Sequence, residues 1–293
     1  MLQPVRRRRI RLPIILFLLT CLSTFWVGSA LWCPEQYLPF DWRLAFIANW
    51  QNGLSYMLAV LGILMFHEMG HFLMTVRYRI PASLPYFIPV PITLLGTMGA
   101  VIAMAGHRAN RRETFDIGIA GPLAGLVVAL PVLWFGVQGL DLNQAGYGGV
   151  ALDLPLLARL LIRWIHPEHA SIDHIWISQV NALFMAGWVG LLITGLNMVP
   201  ISQLDGGHVI YALFLKRAHW IARAFLVFVL CYIILSEAYM WTLMVALVTL
   251  IGTDHPPTAN DHMPLGRGRY MLGLVSLVIP LFCFPPRGFV HLF

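Results

Sequence analysis

Charge is scarce in this chain. Asp, Glu, Lys and Arg together make up 11% of 293 residues, where a soluble domain carries about 25%. So few ionic groups cannot cover a surface that faces water on all sides. With 59% hydrophobic residues and a mean hydropathy of +0.75, the composition is that of a polytopic membrane protein. Cysteine is sparse too. Cys21, Cys33, Cys231 and Cys283 lie scattered, with no CxxC spacing, so neither a disulfide framework nor a cysteine metal site is inferred. There is no internal repeat and no low-complexity segment. The net charge of +6 comes with no basic face and no nucleic-acid motif, so the expected partner is the lipid bilayer and not nucleic acid.

Long apolar runs are what the sequence has instead. About 20 such residues cross a bilayer, and about seven runs qualify, over roughly 12–32, 54–76, 114–137, 174–199, 219–236, 238–252 and 270–285. The expected fold is an all-α polytopic membrane protein with about seven transmembrane helices in a single domain. The first run follows RRRRIR, and VGSA at 27–30 resembles a weak cleavage site. The run is longer than the usual apolar region of a signal peptide, which favours an uncleaved anchor. Alternating spans from a cytoplasmic N-terminus put fifteen of the nineteen basic residues inside and leave Arg43, Arg159, Arg163 and Arg287 outside, as the positive-inside rule requires.

One run is interrupted. FHEMGH, at 66–71, places His67, Glu68 and His71 inside the second span. His71 lies six residues before Arg77, about 9 Å along a helix axis from the cytoplasmic edge. Residues i and i+4 share a helix face, so His67 and His71 can ligate one metal while Glu68 reaches a water beside it. A metal acidifies water and polarises a carbonyl, and a carboxylate moves the proton. Chance or helix packing is the bland explanation. Ionisable groups inside a span cost about 2.5–3.5 kcal/mol each on insertion scales, so function is the better one.

A catalytic zinc site usually has a third protein ligand. GLNMVPISQLDGGHVI, at 195–210, ends the fourth span and offers Asp205, after Pro200 and before Gly206 and Gly207, which would let the backbone bend close to the metal. Alone it reads as a helix-ending turn; beside a submerged HExxH it reads as a ligand. His208 is a competing ligand, ranked lower because it lies past the double glycine.

HEMGH at 67–71 together with NMVPISQLDGG at 197–207 resembles the site-2 protease family of intramembrane zinc metalloproteases, over roughly residues 54–215. GIAGPLAG at 118–125 looks like that family's glycine-rich stretch. LPYFIPVPITLLGTMGAVI at 84–102 and HPPTANDHMPLG at 255–266 resemble a plastid and bacterial subgroup related to the ethylene-dependent gravitropism-deficient proteins. The resemblance implies one Zn2+ per chain on His67, His71 and Asp205, Glu68 as general base, and Asn197 steadying the oxyanion or orienting the substrate backbone. It implies transmembrane protein substrates. With the positive-inside reading, it implies a multi-pass protein of the bacterial inner membrane with a cytoplasmic N-terminus. Nothing in the sequence fixes an oligomeric state.

Pro81, Pro85, Pro89 and Pro91 rule out a continuous helix through 84–102. The segment is nonetheless apolar, so a re-entrant β-hairpin-like segment is expected, tolerated because it lines the protein's own cavity. Its unpaired edge can hold an extended substrate strand. Gly118, Gly121 and Gly125 read as close-packing residues that serve the scaffold. The stretch 139–173, with its apolar ALDLPLLARLLIRWI, is too short for the PDZ domain many relatives carry, and no room for a C-terminal regulatory domain follows the last span. Two alternatives come from other classes. A proton or metal transporter would show repeated halves or paired broken helices, and only one broken segment occurs, near 200. A catalytically inactive binder of membrane segments sits poorly with an intact His67, Glu68, His71 and Asp205.

Overall fold

The computed structural model describes residues 10–30, 42–146, 150–201 and 203–291. The chain is mainly helical. In order, α1 is Arg11–Ala30, α2 Trp42–Arg77, β1 Tyr86–Val90, β2 Gly96–Val101, α3 Arg111–Gln138, β3 Val150–Asp153, α4 Leu156–Ile165, β4 His174–Trp176, α5 Ala182–Asn197, α6 Asp205–Phe214, α7 Ala218–Ser236, α8 Thr242–Ile251, α9 Arg267–Ser276, α10 Ile279–Cys283 and β5 Phe289–His291. Four stretches are long and apolar enough to cross a membrane: 11–30, 43–77, 111–138 and 205–236.

Local chemistry sets these limits. Asn110 and Glu113 form a reciprocal capping box at the start of α3, satisfying amides that the first turn would otherwise leave unpaired. Asn181 accepts from Phe184 N at 2.8 Å and starts α5, so the run read as 174–199 is helical only from Ala182. Its first residues form β4 and a short turn. Leu215 adopts φ 50° and breaks 205–236 into α6 and α7. The run 270–285 is two short helices, α9 and α10, parted at Leu277 and Val278 just before Pro280, whose ring a helix interior does not accept. Antiparallel β1–β2 is the hairpin expected at 84–102, whereas a second small sheet, β4–β3–β5 in that order, corrects the all-α expectation.

The β1–β2 hairpin falls within 84–102 and is wedged against α1 and α2. Ser23 Oγ donates to Gly96 O at 2.5 Å, Tyr56 OH donates to Leu95 O at 2.6 Å, and Phe17 meets Phe87 edge-on at 5.1 Å. Gly96 has φ +74°, and a Cβ there would lie 2.9 Å from the Thr24 backbone, so only glycine lets the tip approach α1 this closely.

Polar groups gather at two ends. At the arginine-rich end, Arg269 holds Asp116 through two bonds of 2.7 and 2.8 Å, Tyr78 OH donates to Asp116, and Arg111 donates to Ala212 O. At the other end, Arg159 bridges Asp153 and Asp173, Arg287 N donates to Asp153, and Trp241 Nε1 donates to Pro286 O. Between the ends the helices pack through a large core that includes Trp188, Tyr56, Phe87 and Phe184, with smaller clusters beside it.

Candidate metal centre

α2 carries His67, Glu68 and His71 in its last third. α5 ends at Asn197 and α6 begins at Asp205, and both residues reach His67. A Cβ on Gly206 would stand 2.2 Å from the Met198 carbonyl. Gly206 is therefore needed for the start of α6 to pack against Met198, and not, as the sequence suggested, for an approach of backbone to metal.

His67 Nε2 lies 3.2 Å from both Asp205 Oδ2 and His71 Nε2, and His71 Nε2 lies 3.3 Å from Asp205 Oδ2. Tetrahedral zinc at about 2.0–2.1 Å from its ligands sets ligand–ligand edges of about 3.3–3.4 Å. The spacing and the N, N, O donor set both fit that ion. His71 Nδ1 donates to the Ile117 carbonyl at 2.7 Å, which leaves Nε2 with its lone pair toward the other two donors. The three side chains form the group that can hold a metal ion among the described residues.

His67 and Glu68 are 2% and 4% exposed, and Asn197 Nδ2 stands 3.2 Å from His67 Nε2. All of them line one cavity of about 170 Å³, which is also walled by Ala100, Val101, Gln203 and His208. The Glu68 side chain is part of the cavity lining beside the three donors. His208 is not in the donor triad: its Nδ1 points instead to His255 Nε2, at 2.6 Å.

The glycines of α3 do more than the sequence suggested. A Cβ on Gly121 would fall 2.0 Å from His71 Nε2, one on Gly125 would fall 3.1 Å from His67 Nδ1, and one on Gly118 would fall 2.8 Å from His208 Cβ. Each glycine leaves room for one histidine ring. Their spacing of three and four residues, which puts them on one helix face, was the signal for this. No sequence signal linked His255 to His208, which are 47 residues apart.

Two histidines and a carboxylate converging among apolar helices are the donor set of a metal centre within a membrane-protein fold. The chain belongs to peptidase family M50, whose family model matches residues 55–235. It is similar to probable zinc metalloprotease EGY1, chloroplastic, of Arabidopsis thaliana: 33% identical over 232 residues, 71% of this chain and 40% of that protein. The Oryza sativa subsp. japonica protein of the same name is 33% identical over 180 residues, 57% of this chain and 29% of its own. Probable zinc metalloprotease EGY2, chloroplastic, of Arabidopsis thaliana is 29% identical over 176 residues, 57% and 30% of the two chains. The chain thus spans well under half the length of these relatives. No solved structure matches it.

Proposed function

We propose that the chain is an intramembrane zinc endopeptidase with one zinc per chain, held by His67, His71 and Asp205, that cuts transmembrane segments of other proteins. The observation that carries this reading is the convergence of those three donors with Glu68 and Asn197 in one buried cavity between apolar helices. Zinc held there supplies Lewis-acid polarisation of a water and of the scissile carbonyl. Glu68 accepts the water's proton and returns it to the leaving amide nitrogen. Asn197 donates its amide N–H to the developing oxyanion. The apolar walls exclude bulk water, which strengthens each of these interactions.

The chain acts as one membrane-embedded unit, with its core at 54–215 and no PDZ domain between the metal-bearing segments. Seven passes are supported by contacts at the two polar ends: Trp241 with Pro286 at one, His255 with His208 at the other. On this reading α7, α8 and α9–α10 are successive traverses. The hairpin is re-entrant. Its tip meets Tyr56, eleven residues before His67 on α2, and so reaches about 17 Å beyond the metal ligands. Ala100 and Val101 of β2 face the cavity, and the edge of β2 not paired with β1 takes up an unwound substrate strand. The arginine-rich end faces the cytoplasm of a bacterial cell, so cutting occurs in the cytoplasmic half of the inner membrane.

Glu68→Gln tests the chemistry. It keeps the side chain's size and removes the base. Cleavage of a model transmembrane substrate is expected to fall at least about 10²-fold with zinc content unchanged; cleavage near the wild-type rate would remove Glu68 as base. Orientation is tested by impermeant thiol labelling of intact cells after native cysteines are removed. Cysteine at exposed Glu168 is expected to react and cysteine at exposed Ala259 to stay silent, and the reverse pattern inverts the orientation. Gly146 is unsuitable as the outer position because a side chain there runs into Trp176.

A further inference from the structure

We propose that His208 is a substrate-binding residue of the same cavity, accepting a hydrogen bond from a backbone N–H of the unwound substrate, and that His255 is the positioning residue that fixes it in the accepting tautomer. The proposal rests on the protease reading and extends it.

Three histidines, not two, are built into the face of α3. Gly118 leaves space for His208 as Gly121 and Gly125 do for His71 and His67. His208 lines the metal cavity and also a second cavity of about 370 Å³ beside it, walled by Met104, His107, His255 and Pro257. It stands at the junction between the metal centre and the arginine-rich end.

The hydrogen bonds define its chemistry. His255 Nδ1 lies 2.5 Å from the Pro256 carbonyl, an acceptor only, so Nδ1 carries the proton. Burial lowers the pKa of His255 and keeps it neutral, so its Nε2 presents a lone pair. His208 Nδ1, 2.6 Å away, must then be the donor. A neutral His208 with its proton on Nδ1 has an unprotonated Nε2, the one ring nitrogen left for the cavity wall. An unwound substrate exposes backbone amides that have lost their helical partners and need acceptors.

His255 is itself braced. Its ring stacks on Tyr211 with centroids 4.4 Å apart. Tyr211 OH donates to Asp261 at 2.9 Å, and Asp261 accepts from Thr258 N and Oγ. Ala259 N donates to Ala109 O and Arg111 N donates to Asn260 O. The segment 255–261 is thereby strapped to α6 and to the start of α3, which holds the acceptor in place.

The test compares His255→Phe, His255→Gln, His208→Phe and the double Phe variant in the purified full chain, reading zinc content, cleavage, and 15N shifts of histidine-labelled protein. Phe keeps the stack on Tyr211 and removes the acceptor; Gln restores an acceptor. Expected for His255→Phe is about one zinc per chain, a His208 tautomer shifted from Nδ1–H toward a mixture, and kcat/KM down about five- to a hundredfold, the range for an unsatisfied buried donor. His255→Gln should recover to within about threefold of wild type. The double variant should be no worse than His208→Phe alone, since His255 acts through His208. An unchanged His208 tautomer and unchanged cleavage in His255→Phe overturn the proposal. So does equal loss in the Phe and Gln variants together with loss of zinc, which is the pattern of a purely structural residue. If wild-type protein binds zinc but does not cleave, the protease reading fails, while the 15N shifts still decide the histidine pair.

Discussion

α3 and the α6–α7 stretch are both apolar enough to cross a membrane, yet 44% of the best window in 111–138 is buried inside the protein and 17% of that in 205–236. Glycine separates them. α3 carries Gly118, Gly121, Gly125 and Gly136, each against a neighbouring segment, whereas 205–236 has glycine only at its start, Gly206 and Gly207, and α7 has none. Small residues let helix backbones meet where lipid gives no hydrophobic reason to associate. Val227, Phe228 and Ile234 of α7 instead stay open to lipid, at 60%, 63% and 68% exposure. Hydropathy tells which segments enter the bilayer; glycine tells which of them form the frame of the metal centre.

The contrast is broken most strongly at Gly121. A methyl group there would overlap the His71 imidazole, so Gly121→Ala is expected to reduce zinc from about one per chain to under about 0.3, by elemental analysis. Retained zinc would mean that α3 can move off α2, and that the frame is softer than its packing implies. Tyr56→Phe is a milder break. It takes the donor from Leu95 O at the hairpin tip, for an expected loss of about 1–3 kcal/mol seen as a lower Tm in detergent, with zinc content intact. Phe228→Ala sharpens the comparison from the lipid side. With its ring mostly outside the protein, stability should change by no more than about 0.5 kcal/mol and cleavage should be unaffected. A large loss there would place a protein partner on α7.

Much of the metal centre could be read from the sequence because its chemistry is local. His67, Glu68 and His71 fall within five residues, and Asp205 follows a helix-breaking proline. The hairpin was legible from the density of prolines, Pro85, Pro89 and Pro91 within seven residues, which no continuous helix carries. Its finer chemistry was not: Gly99 has φ +96°, and its amide already donates to Thr97 Oγ1 at 3.1 Å. That amide is not open to a substrate, and proline there would distort the strand instead of testing its edge. The β4–β3–β5 sheet escaped notice because its strands are three or four residues long and come from distant parts of the chain, too short for any alternating pattern. The pair His208 and His255 escaped for the same reason of distance: neither position shows its partner until α6 and the 255–261 segment are folded together.

The bond from Ser23 to Gly96 bears on the order of assembly. A hairpin cannot settle in lipid by itself, because its open edge and turn carry backbone groups that hydrocarbon leaves unsatisfied. α1 and α2 leave the ribosome first and form the slot into which 84–102 later fits, with Thr24 and Tyr56 waiting at its far end. Cutting α1 away as a leader would take one wall from that slot before the hairpin arrived. The first helix, easily dismissed as an address label, is thus one wall of the slot that holds the strand beside the metal cavity.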